Sequence, residues 1–161
     1  MKLQLTRSSS LLLTGLIAGT FFYGTYCVLP AFYEVSTETH LRFRTTLMNH
    51  NKIIVMALVL MDIIALGLYA WQTRKEKIAR LYIFAALLFT ISSLLITRLG
   101  SVPINLIIKT WNPISLPADW LKTLATWDLY NQVRTFTSIG SFICLLLADL
   151  WLVKHLQNDS Q

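Results

Sequence analysis

Four stretches of this chain are apolar for the length of a bilayer crossing: residues 10–29, 53–71, 78–97 and 136–153. A crossing takes about 20 helical residues, because the hydrocarbon offers no water to satisfy an unpaired backbone amide or carbonyl. Such a pattern predicts an all-α protein, a four-transmembrane-helix bundle forming one integral membrane domain over residues 1–161. Composition agrees, with 55% apolar side chains, 14% charged ones and a mean hydropathy of +0.56. In a soluble protein a net charge of +6 would point to nucleic acid, but here the basic residues sit between the apolar runs. That placement serves membrane orientation, so the partners expected are membrane lipid and no nucleic acid.

An even number of crossings puts both termini on one side. Lys2 and Arg7 precede the first run as they would in a signal peptide, yet the run is long and has no small-x-small cleavage signature, so a retained anchor is expected. The bases divide equally, with Lys2, Arg7, Arg74, Lys75, Lys77, Arg80 and Lys154 facing Arg42, Arg44, Lys52, Arg98, Lys109, Lys122 and Arg134. Four of the first set crowd into QTRKEKIAR. This density predicts a plasma (inner) membrane protein with cytoplasmic N- and C-termini. Gly15 with Gly19, and Ala86, Thr90, Ser93 and Thr97, repeat at helical spacing and predict helix contacts. The glycine pair suits intrachain packing or a homo-oligomer equally.

Asp62 stands near the middle of the second run, in VMALVLMDIIALG. Its insertion cost of roughly 2.5 to 3.5 kcal/mol is offset by flanking Leu, Ile and Val at about −0.3 to −0.6 kcal/mol each. It should face the bundle interior, either in a ligand-binding role or as a protonated acid bonded to a Thr or Ser of a neighbouring helix. Asp149, near the terminal end of the fourth run, is expected in a structural ion pair with Lys154 or the basic middle loop.

The third connection, VPINLIIKTWNPISLPADW, interrupts these runs with three prolines and two tryptophans. The third run should end at Arg98 and Gly100, with Pro103 opening a short helix that Asn112 and Pro113 stop. Pro117 opens the next helix, on which Trp120, Leu124, Trp127, Asn131 and Arg134 share one face before the chain enters the fourth run. Indoles suit the headgroup level. Asn131 and Arg134, near Arg98 and Asn105 in this layout, either cap an interfacial helix or line a cleft for a flat, polar-edged molecule.

The segments RLGSVPIN from Arg98, WNP at Trp111, PADW at Pro117 and WDLYNQVRT at Trp127 resemble the anthrone-oxygenase-like family of small four-helix membrane proteins. Most of that family carries a domain-of-unknown-function label, and a few fungal members convert an anthrone to an anthraquinone with molecular oxygen. The resemblance implies a lipophilic aromatic or quinone-like ligand, no cofactor, and a cofactor-independent oxygenase as the enzyme reading. It covers Pro103, Asn105, Trp111, Pro117, Trp120, Trp127, Asn131 and Arg134. Asn131 stands where many relatives have histidine. Arg134, Asn131 and Asn105 are the catalytic candidates, and Trp111, Trp120, Trp127, Arg98 and Asp62 the substrate-binding ones.

No histidine lies within the four runs, which disfavours haem ligation between helices. His40, His50 and His155 lack metal-ligand spacing and are read as loop residues. Cys27 and Cys144 are read as separate buried packing thiols rather than a redox pair. A phosphate loop and a nucleophile elbow are both missing. An oxygenase would need a base, a cation for the enolate and an apolar pocket. Glu34, Glu38 and His40 are the base candidates, although Glu38 and Arg42 are also spaced as a surface pair. Two classes stay open: a small membrane enzyme with its site at the outer mouth, and a non-catalytic binder or partner subunit.

Overall fold

The computed structural model describes residues 2–158. Its elements are α1 (Lys2–Tyr23), a π-helical turn (Gly24–Val28), α2 (Leu29–Tyr33), α3 (Thr37–Gln72), α4 (Lys77–Ile96), a second π-helical turn (Thr97–Ser101), α5 (Val102–Ile108) and α6 (Trp120–Asn158). These combine into four rods, each long and apolar enough to cross a membrane: Leu3–Tyr33, Thr37–Gln72, Lys77–Ile108 and Trp120–His155. At 1.5 Å per residue, the 36 residues of α3 extend about 54 Å, well beyond a hydrocarbon core of about 30 Å. The surplus lies largely at the end opposite the termini, where the short turn at residues 34–36 and the connection at 109–119 form a mouth.

Prolines explain why the rods outrun the expected spans. The first was expected to stop at Pro30 and the third near Gly100, yet both continue as helix. Each proline lies at the start of the helical piece that follows a π turn. There the amides of Leu29 and Val102 bond the carbonyls of Gly24 and Thr97, five residues back. A widened turn makes room for a ring that would otherwise press on the preceding turn, as happens in membrane helices.

The second rod starts well before Ile53. Ser36 caps α3, its side chain accepting from the Thr39 amide at 3.4 Å. Most of YEVSTETHLRFR is therefore helical, and His40 is a buried helix residue rather than a loop residue. At the third connection, Asn112 makes a tight turn in which its side chain accepts from the Ile114 amide at 3.0 Å and its carbonyl from the Ser115 amide at 3.0 Å. α6 then begins at Trp120 and runs without interruption into the fourth span.

The rods pack mainly through α4 against α6, with α1 lying against both α3 and α6. The stripe of small residues on α4 makes this closeness available: Ala86, Thr90 and Ser93 are buried, and the Ser141 hydroxyl donates to the Ala86 carbonyl at 2.9 Å. Gly15 lies against the Phe142 ring, 3.3 Å from where a Cβ would stand, whereas Gly19 faces open space. Apolar clusters fill the terminal half (Leu66, Tyr69, Ile83, Leu145), the middle (Ile17, Phe21, Val59) and the mouth (Leu41, Ile108, Leu124). Leu12, Ile64, Leu88 and Leu150 are exposed on the four rods, the exterior expected of an integral membrane bundle.

Two expected placements are corrected. Asp149 pairs with Arg7 at the terminal face, not with Lys154 or the middle loop, because α1 lies beside α6 there. Cys27 is exposed on the outside of the π turn, while Cys144 is partly buried.

Candidate functional site

The mouth is organised around the face of α6 that carries Trp120, Leu124, Trp127, Asn131 and Arg134. All five are buried or partly buried. Trp111, Trp120 and Trp127 pack on Leu41, Ile108 and Leu124, so the tryptophan-rich connection folds inward over the bundle and uses its indoles as core. Trp127 also donates its indole N–H to Asn105 Oδ1 at 2.5 Å, tying α6 to α5.

Below Trp127, Asn131 bridges two turns of α6. Its amide donates to the Trp127 carbonyl at 3.2 Å, and its side-chain oxygen accepts from Arg134 Nη2. The Arg134 guanidinium carbon lies 4.1 Å from the centroid of the Phe21 ring. Its Nε is buried without a hydrogen-bond partner among the described residues.

Above Trp127 lies a second arginine that the sequence did not single out for a site. Arg44 is 1% exposed, with its guanidinium carbon 4.4 Å from the Trp127 ring centroid and 5.6 Å from that of Phe32. Its Nε donates to His40 Nε2 at 3.1 Å, and its Nη2 approaches Asp128 Oδ1 at 3.5 Å. Tyr33 donates its hydroxyl to the other oxygen of Asp128. Because a guanidinium can only donate, His40 Nε2 must accept, which leaves the ring proton on Nδ1. Arg44 Nη1 is buried and has no partner among the described residues.

The chain thus brings Asn105, Trp111, Trp120, Trp127, Asn131 and Arg134 into one region and adds Arg44, His40, Asp128, Tyr33, Phe32 and Phe21. Arg98 does not join them; it is exposed, with Nη2 3.8 Å from Met56 Sδ. Glu34 and Glu38 are exposed, and no ion pair between Glu38 and Arg42 occurs among the described residues. Asp62 belongs to a different place, bonded to Thr14 and Thr90 in the bundle interior. A usable signal for Arg44 was its spacing: Leu41, Arg44 and Met48 fall three and four apart, on one face with two apolar neighbours.

Chemically, the mouth offers two cations held on aromatic faces, each with a free donor, and one carboxylate shared between Arg44 and Tyr33. No group of three or more His, Cys, Asp or Glu side chains suited to a metal occurs among the described residues. Two surface hollows lie elsewhere, a groove of 590 Å³ along Leu12, Gly15, Leu16 and Gly19 and one of 290 Å³ beside Trp71 and Arg74.

Residues 43–144 match the family model described as anthrone oxygenase. No curated protein and no solved structure matches the chain. The matched stretch is more than half of the chain and contains Arg44, Asn105, Trp111, Trp120, Trp127, Asp128, Asn131 and Arg134. With that stretch forming most of a four-helix membrane bundle, the chain belongs to the anthrone oxygenase family.

Proposed function

We propose that the mouth of the bundle binds a flat, lipophilic aromatic or quinone-like molecule whose oxygen atoms meet the open donors of Arg44 and Arg134. The observation that carries this reading is the pair of buried guanidinium nitrogens without partners among the described residues, Arg44 Nη1 and Arg134 Nε, each on a side chain stacked against an aromatic ring. An unmet buried donor costs about 1–3 kcal/mol, more on a charged group, and a ligand oxygen would recover it. Trp127 and Phe21 would supply flat surfaces beside those donors, and the connection at residues 109–119 would lift to admit the molecule.

Oxygenation at the same site is the second reading, favoured by the family to which the chain belongs. The arginines would hold the enolate oxygen formed when a ring C–H proton leaves, and Asp128 is the carboxylate within the cluster that would take the proton. His40 suits that role less, because its Nε2 lone pair already accepts from Arg44. A non-catalytic partner subunit would use the same mouth as packing alone.

On this reading the protein sits in the plasma membrane with both termini cytoplasmic. The exposed Arg74, Lys75, Lys77 and Arg80 at the α3–α4 turn support that orientation.

Purified protein in detergent should quench its tryptophan fluorescence on titration with a hydroxylated anthraquinone and consume oxygen when given an anthrone. Quenching without oxygen uptake would leave binding alone. The absence of both would remove the mouth as a ligand site.

A further inference from the structure

Separate from the mouth, one chain of oxygen contacts crosses the interior and touches all four rods. On α1, Thr14 Oγ1 lies 2.7 Å from the Ser10 carbonyl and 2.7 Å from Asp62 Oδ1 on α3. Asp62 Oδ2 lies 3.1 Å from Thr90 Oγ1 on α4, which is 2.9 Å from Ser141 Oγ on α6. Ser141 Oγ lies 2.9 Å from the Ala86 carbonyl. Asp62 is 0% exposed, and the other side chains in the chain are buried with it.

Hydrogens can be counted along this chain. It contains five contacts at hydrogen-bond distance, it ends in a carbonyl at each side, and its three hydroxyls carry one hydrogen each. With an ionised carboxylate, two of the five contacts would have no hydrogen of their own and would have to share one with a neighbouring contact. One proton on Asp62 fills a fourth. No charged side chain is bonded to or ion-paired with Asp62 among the described residues. The groups facing it are Thr14 on α1 and Thr90 on α4, with Ser141 of α6 behind Thr90. Charge appears farther off on both sides, in the Arg7–Asp149 pair toward the terminal face and at Arg134, two turns along α6 from Ser141, toward the mouth.

We infer that Asp62 is a proton-binding site in the middle of the membrane, and that the bound proton adds a fourth hydrogen to a hydrogen-bonded clasp joining α1, α3, α4 and α6. Asp62 is ten residues from the end of α3, about 15 Å of helix, which is half of a typical hydrocarbon core. A route for the proton is marked by two fully buried hydroxyls without partners among the described residues, Ser10 Oγ and Tyr69 Oη. Ser10 lies one turn, and Tyr69 two turns, from the Asp62 layer toward the Arg7–Asp149 pair.

Infrared difference spectroscopy of the wild type against Asp62→Asn, in lipid bilayers at neutral pH, tests this. The wild type should show the carbonyl stretch of a protonated carboxyl, shifted in D2O and absent from the variant. Asn should preserve the bundle, because its amide hydrogens can fill the same contacts. If Asp62→Asn does not fold, Thr14→Val and Thr90→Val serve instead, since each should move the carboxyl band by removing one partner. A carboxylate stretch in place of the carboxyl band, or a thermal midpoint that rises with sodium but not with choline, would overturn the assignment and make the occupant a metal cation. A carboxyl band that none of the three variants moves would overturn it as well.

Discussion

Arg44 lays its guanidinium over the indole of Trp127, carbon to ring centroid 4.4 Å, and so joins the start of α3 to the upper part of α6 at the mouth of the bundle. A desolvated cation–π contact is worth about 2 kcal/mol, and the neighbouring Asp128 adds a charge partner. Arg44→Gln should therefore lower the thermal midpoint of the purified protein. A double-mutant cycle with Trp127→Leu should return a coupling of about 1–3 kcal/mol. Additive effects would mean that the two side chains are neighbours without interaction.

Arg134 is reserved, on the proposed reading, for a ligand oxygen. Replacing it with Gln removes a charge-assisted bond of about 1.5–3 kcal/mol, so the dissociation constant for a hydroxylated anthraquinone should rise about ten- to hundredfold. The bundle should keep its helical circular dichroism. Arg98→Gln should leave the affinity unchanged, because Arg98 lies outside the mouth cluster. Fluorescence titration of both variants distinguishes the outcomes.

Gly100 is a position where a side chain has no room. A Cβ there would come within 2.6 Å of Tyr130 ring carbons, closer than packing allows. Gly100→Ala should destabilise the protein by about 1–3 kcal/mol through overpacking, and Tyr130→Ala in the same chain should recover part of the loss. Thermal unfolding of the single and double variants measures it.

Arg7 and Asp149 form an ion pair that remains partly open to solvent, at 31% and 18% side-chain exposure. Screening holds its expected worth to at most about 1 kcal/mol. Arg7→Glu alone should cost stability by like-charge repulsion, and Arg7→Glu with Asp149→Arg should restore it. The reversal should weaken as salt is raised.

Orientation can be read by thiol labelling in a Cys27→Ser, Cys144→Ala background. Lys75→Cys should be protected from an impermeant reagent in intact cells, and Asp119→Cys should react. The opposite pattern would invert the proposed topology.

Much of this architecture was legible because it follows from composition and period. Twenty apolar residues in a row have few alternatives in water or lipid, and the spacing of Trp120, Leu124, Trp127, Asn131 and Arg134 is enough to put them on one face. Asp62 was also legible in part, as an acid with threonine partners on neighbouring helices. Arg44 was not. A charged residue in a charged stretch reads as solvated surface, and only the packing of α2, α3 and α6 around it removes the water. The continuation of helix through Pro30 and Pro103 was equally hidden, since a proline signals interruption locally while neighbouring rods can hold the chain helical around it. Arg98 was expected near Arg134 because the third run ends and the fourth begins at the same end of the bundle, but Arg98, in the wide turn at Thr97–Ser101, is exposed.

The two wide turns act as angular settings. Each uses one residue more than an α-turn, so every side chain beyond it is rotated by about 100° from the phase the rod began with. Removing a single residue from Gly24–Val28 would leave composition and length almost unchanged while swinging Phe32 and Tyr33 away from Arg44 and Asp128. A one-codon deletion there is therefore a far larger change to the mouth than most substitutions, and natural length variation at these two turns would re-aim the ring and donor set without disturbing the rods below.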